Sequence, residues 1–169
     1  MATRIQRWLA ASACLIVIGG ALAEKSESTW LTDFAKAKEI AQDTGQPILA
    51  NFSGSDWCRF CIMLEDNVLE KPAFKKYAEE NMVLFLADFP RRTEQPEDVA
   101  AQNKKLAAEY GIRGFPTVLL LTPDGEVIAQ TGYRRVGPEG YVEHLEALVA
   151  PWKQTQNAGE EGQQATVQQ

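Results

Sequence analysis

Trp57-Cys58-Arg59-Phe60-Cys61 places two thiols three residues apart, directly after the apolar run Pro47 to Ser53 and at the start of a stretch with helical spacing. A pair at i and i+3 closes almost no loop, so it stabilises little through chain entropy, and electron exchange between the two thiols is the better use for it. A zinc site needs further ligands. The sequence offers one histidine, His144, and no cysteine beyond Cys58 and Cys61 after residue 23, so no metal is expected.

The third cysteine, Cys14, sits in a segment with the pattern of a secretory signal. Arg4 and Arg7 make a basic start, Trp8 to Leu22 carries no charge, and Ala21-Leu22-Ala23 supplies small residues for cleavage. Residues 1–23 are therefore expected to be a signal peptide, with the mature chain beginning at Glu24. The alternative, an uncleaved anchor, is disfavoured because the uncharged run is shorter than the roughly 20 residues that span a bilayer and Gly19-Gly20 weakens a helix there. A periplasmic or otherwise exported protein follows, in a compartment where a disulfide persists; membrane tethering is not expected.

Without Arg4 and Arg7 the chain keeps 15 basic against 23 acidic residues, a net charge of about −8, which argues against nucleic acid as a partner. Neither a glycine-rich phosphate loop nor a Cys-His hydrolase arrangement is visible, no cofactor is implied, and His144 is expected at the surface of the last helix. The stretch 153–169 is rich in Gln and nearly free of apolar residues, the composition of a disordered tail. The ordered domain is expected over 24–152.

Within it the period of the apolar residues switches repeatedly. Thr32 is placed to cap a helix from about Asp33 to Thr44, with Phe34, Ala37, Ile40 and Ala41 on one face. Pro47 to Ser53 reads as a buried strand. A helix from Cys58 follows, with Ser55 and Asp56 as candidate caps, and Pro72 kinks or restarts it. Strand Met82 to Asp88, helix Glu97 to Tyr110, strands Pro116 to Leu121 and Glu126 to Thr131 around the turn Thr122-Pro123-Asp124-Gly125, and a helix from Pro138 to about Val149 complete the order. Strands with helices on both sides imply an α/β protein, a three-layer α/β/α sandwich with a central mixed sheet.

The chain resembles the thioredoxin-fold superfamily over roughly Leu31 to Ala150. The resemblance rests on Trp57-Cys58-x-x-Cys61 opening a helix after a buried strand, on Tyr110-Gly111-Ile112-Arg113-Gly114-Phe115-Pro116-Thr117, and on Asp124-Gly125-Glu126-Val127. The lead-in Ser53-Gly54-Ser55-Asp56-Trp57-Cys58 is most similar to the exported bacterial thioredoxin-like thiol-disulfide oxidoreductases. The resemblance implies a thioredoxin fold, a redox-active Cys58–Cys61 pair and a cis bond before Pro116. It also implies a groove in which Phe115 and Pro116 meet an extended substrate, with Trp57 as a wall and Gly132 and Tyr133 in the neighbouring loop.

A cysteine in the first turn of a helix meets unpaired N–H groups and the positive end of the helix dipole, so Cys58 is expected to be the more acidic, more exposed nucleophile and Cys61 the buried resolving thiol. Arg59 either favours the Cys58 thiolate as a nearby cation or is an ordinary solvated residue. The sequence departs from the family at the buried acid that assists the second thiol: its position falls on Asn51, and that of its lysine partner near Leu84, neither of which titrates. Water or another carboxylate, Asp56 or Glu65, would have to serve instead. In the loop Phe89 to Pro96, Arg91 and Arg92 are either a dock for an acidic partner or solvated residues. The expected function is reduction of protein disulfides, with a thiol electron donor regenerating the pair. The alternatives are an oxidase or isomerase using the same cysteines, or a polypeptide-binding module with a passive disulfide.

Overall fold

The computed structural model describes residues 30–167; the expected signal peptide lies outside them. The elements are α1 (Phe34–Thr44), β1 (Ile48–Ser53), α2 (Arg59–Leu64), a π-helical turn (Glu65–Leu69), α3 (Pro72–Asn81), β2 (Val83–Asp88), α4 (Glu97–Glu109), β3 (Thr117–Leu121), β4 (Val127–Thr131) and α5 (Gly137–Val167). The strands form one mixed sheet in the order β2-β1-β3-β4, with β1 parallel to β2 and antiparallel to β3, and β3 antiparallel to β4. This is the thioredoxin fold, as expected.

The central strands are apolar on both faces because both faces are covered. Ile48, Ala50 and Phe52 of β1 pack with Phe85, Leu119 and Leu121 against Phe34, Ala37 and Ala41 of α1 and Leu106 of α4. Leu49 packs with Leu84, Val118 and Leu120 against Leu64, Val68, Phe74, Tyr141 and Leu145. Strand alternation puts Asn51 on the same side as Leu49, the side covered by α2, α3 and α5. Its register partners are Leu86 on β2 and Val118 on β3, while Leu84 pairs with Leu49.

Several helix ends differ from the sequence reading. Asp33, not Thr32, caps α1, its Oδ1 accepting the Lys36 N–H at 3.1 Å. Cys58 itself is the N-cap of α2, which leaves Ser55 and Asp56 free for other bonds. The π-helical turn absorbs one extra residue before Pro72 restarts the chain as α3 at its first position, where a missing N–H costs nothing. α5 continues through Pro151 to Val167, across the stretch expected as a disordered tail from Lys153; Gln, Glu and Ala there are helix formers, though they carry no apolar stripe to pack. No helix among the described residues is long and apolar enough to cross a membrane.

Two motif segments are tied together directly. The Tyr110 hydroxyl donates to the carbonyl of Gly125 at 2.9 Å, clamping the segment before β3 to the β3–β4 turn. Gly125, at φ 96°, makes that turn possible.

The registers fix which loops meet. Ser53 lies beside Asp88, Phe52 beside Thr117 and Val118 beside Thr131. The loops after β1, β2 and β4 and the one before β3 therefore emerge at one end of the sheet.

Candidate active site

Cys58 and Cys61 are joined as a disulfide with Cα atoms 5.2 Å apart. Cys58 leaves β1 through a tight turn in which its N–H donates to the Gly54 carbonyl at 2.8 Å. As N-cap, its Sγ accepts the Cys61 N–H at 3.3 Å, a position that favours a thiolate on this sulfur once the disulfide is reduced. The Sγ of Cys61 accepts the Gly54 N–H at 3.4 Å. Cys58 is 7% exposed and Cys61 3%, so Cys58 is the more exposed of the two, although both residues are buried.

Asp56 does not cap α2. Its carboxylate accepts the backbone N–H groups of Arg91 (3.0 Å), Arg92 (2.6 Å) and Thr93 (3.0 Å), pinning the loop after β2 against the motif. Chiefly because of the Arg91 N–H, its pKa is held below the ordinary aspartate value. The same loop holds Trp57: its Nε1 donates to the Phe89 carbonyl at 2.8 Å, its ring meets Phe115 edge-on at 5.9 Å, and the Arg91 guanidinium covers one face. Ser55 is bonded through N–H and hydroxyl to the Asp88 carboxylate at the end of β2.

The Phe115–Pro116 peptide is cis. Pro116, Gly132, Tyr133, Phe60 and Arg135 line an open cleft of about 460 Å³. A Cβ on Gly132 would lie 3.0 Å from the Pro116 carbonyl oxygen, so glycine there permits a close approach of the two segments. Phe60, 49% exposed, stacks on Tyr133 at 6.1 Å. Trp57, Phe115, Pro116, Gly132 and Tyr133 thus lie at the same end of the sheet as the disulfide, and Arg59 is exposed on the first turn of α2. His144 is half-buried rather than superficial. It bonds the Thr131 hydroxyl at 2.9 Å, and burial lowers its pKa.

On the Asn51 side of the sheet, a separate cavity of about 100 Å³ is lined by Asn51, Ser53, Ser55, Glu65, Leu86 and Trp30, with Leu69 and Glu70 at its side. The Oδ1 of Asn51 is buried with no hydrogen-bond partner. Partial burial raises the Glu65 pKa, with the carboxylates of Glu70, Asp66 and Asp88 adding to the shift.

Gly54 was missed as a functional position. A Cβ there would meet the Trp57 ring at 2.6 to 2.8 Å, and its N–H serves Cys61. Its place between two serines just before the motif was the available signal.

A family model for the thioredoxin-like domain matches residues 34–148. The chain is 32% identical over 116 residues to disulfide bond reductase DsbH of Chlamydia pneumoniae, covering 69% of this chain and 70% of that protein. It is 29% identical over 103 residues to thioredoxin-related protein DsbJ of the same organism, covering 61% of this chain and 30% of that one. A solved structure of a DsbH oxidoreductase superposes with a TM-score of 0.70 at 30% identity, covering 74% of this chain and 86% of the other. With a domain match over most of its length and a Cys58–Cys61 disulfide at the head of α2, the chain belongs to the thioredoxin-like family of thiol-disulfide oxidoreductases.

Proposed function

We propose that this protein is exported behind residues 1–23 and reduces protein disulfides through Cys58 and Cys61, within a domain spanning 24–152. The observation that carries the reading is the placement of Cys58 Sγ at a helix N-cap, where it accepts the Cys61 N–H. This placement favours a thiolate at the sulfur nearer the surface. The similarity to a protein named disulfide bond reductase supports the direction.

In the reaction, the Cys58 thiolate attacks one sulfur of a substrate disulfide, forming a mixed disulfide and releasing the other substrate sulfur as a thiolate that takes up a proton. Cys61 then loses its proton and attacks Cys58 Sγ, which closes the Cys58–Cys61 disulfide and releases the second substrate thiol. Two electrons have passed to the substrate. A thiol donor returns them to the pair. The substrate backbone lies along Phe115 and Pro116, between Trp57 and the Gly132–Tyr133 loop.

The proton of Cys61 needs an acceptor, since Asn51 occupies the place of an acid. Asp56 is committed to three loop amides and its pKa is lowered. Glu65, four residues after Cys61, lines the cavity beneath the strand-to-helix turn, which is roomy and polar enough to admit water. Its pKa, raised by partial burial and by the Glu70, Asp66 and Asp88 carboxylates, makes it a better proton acceptor than a carboxylate at its ordinary value. We assign Glu65 this role.

Cys61→Ser removes the resolving thiol and should trap substrates on Cys58, while the wild type should reduce insulin in the presence of dithiothreitol. An absence of mixed disulfides together with no insulin reduction would contradict the reading and favour a binding module with a passive disulfide.

A further inference from the structure

The active-site end of this acidic protein is its arginine-bearing end. Arg59 follows Cys58, Arg91 and Arg92 lie in the loop after β2, Arg113 precedes Pro116 by three residues, and Arg134 and Arg135 follow β4. They are all the arginines among the described residues, and all six are exposed. Every described lysine, by contrast, lies on a helix or at a helix cap. Both ion pairs among the described residues use lysine, Lys36–Glu39 and Lys75–Glu70, so none of these arginines is neutralised that way.

The loop acids at this end keep their charge but are held by backbone and hydroxyl donors, while Glu65 and Glu70 line the cavity on the Asn51 side. Asp56 is bound by three loop amides, and Asp88 by Ser55. Glu94 is the one remaining acid in the loops 54–58, 89–96, 111–116 and 132–137. In a chain of net charge −6, all six described arginines thus lie in the loops at the active-site end or on the first turn of α2.

Guanidinium groups stay charged at all relevant pH values and match carboxylates in a two-pronged geometry, which an ammonium does not. Here they edge apolar surfaces that could seat a polypeptide: Arg91 over the Trp57 ring, and Arg135 in the cleft lined by Phe60, Pro116 and Tyr133. We propose that this rim selects substrates, recognising acidic residues that flank the disulfide of an extended polypeptide laid along the Phe115–Pro116 groove. The inference rests on the redox reading above and names its substrate class. Because the whole protein is negative, the attraction is local, acting within the screening length of about 8 Å at physiological salt and fading as salt is added.

The test uses the reduced full-length protein and two synthetic peptides carrying the same intramolecular disulfide, one flanked by aspartates and one by lysines, with neutral hydroxyethyl disulfide as a reference. Stopped-flow rates at low salt should favour the acidic peptide by about tenfold or more, and the ratio should fall toward one at high salt. The triple variant Arg92→Gln/Arg113→Gln/Arg134→Gln should flatten the ratio at low salt; taken within one protein, the ratio does not depend on any change in thiol reactivity. Equal rates for the two peptides, or a preference for the basic one, with normal reaction of hydroxyethyl disulfide, would overturn the rim assignment alone. Failure to react with hydroxyethyl disulfide would overturn the redox reading beneath it.

Discussion

The guanidinium carbon of Arg91 lies 3.6 Å from the centroid of the Trp57 ring, so a residue thirty-four positions downstream forms one wall of the indole next to Cys58. Asp56 makes this possible by holding the backbone N–H groups of Arg91, Arg92 and Thr93. Asp56→Ala should release the loop: amide hydrogen exchange at Arg91 to Thr93 should accelerate strongly while the β1 and β3 amides keep their protection. Because the Asp56 pKa is lowered in the fold, this support is present above about pH 4 and lost as pH falls through the depressed value. Unchanged exchange in the loop would contradict the anchoring role.

Gly54 leaves room for the Trp57 indole. Gly54→Ala puts a methyl group within 2.8 Å of three Trp57 ring atoms, so the indole must move and its bond to the Phe89 carbonyl must stretch. The expected cost is about 1–3 kcal/mol, with an altered Trp57 environment visible in fluorescence. Wild-type stability in urea would count against it.

Glu65→Gln separates the two halves of the reaction. Release of a preformed mixed disulfide should slow about 10- to 100-fold, while attack by Cys58 on a model disulfide keeps its rate. The same variant should gain stability relative to wild type as pH rises above about 4.5. A glutamate whose folded pKa is raised binds its proton more tightly in the folded state, and so loses stability as it ionises. Equal slowing of both steps would assign Glu65 a structural role only.

His144 gives a pH dependence of opposite sign. Its folded pKa is lowered by burial and by Arg134, so the unfolded chain binds the proton first and stability falls as pH drops below about 6.5. His144→Gln should flatten this slope between pH 7 and pH 5 in urea titrations, keeping the side-chain bond to Thr131 available. A slope identical to wild type would contradict it.

Much of this was legible in the sequence. The strands could be read because Ile48 to Phe52 and Thr117 to Leu121 are buried on both faces and form short apolar runs broken only by Asn51 and opened by Thr117. The Cys58–Cys61 pair announced itself by spacing and by its place after a strand. Long-range bonds could not be read: nothing local distinguishes an Asp56 that caps its own helix from one that reaches Arg91. The six described arginines are scattered over 77 residues of sequence, from Arg59 to Arg135, and converge only through the strand registers. The extension of α5 past Pro151 was hidden because helix-forming composition without an apolar stripe reads equally as disorder.

The reductase reading turns on a single equilibrium constant. Poising the protein in buffers of reduced and oxidised glutathione and quantifying the Cys58–Cys61 disulfide gives its reduction potential. The account predicts a value near or below about −230 mV, on the reducing side where electrons flow from the protein to substrate disulfides. A potential near about −120 mV, typical of a dedicated oxidant, would contradict it.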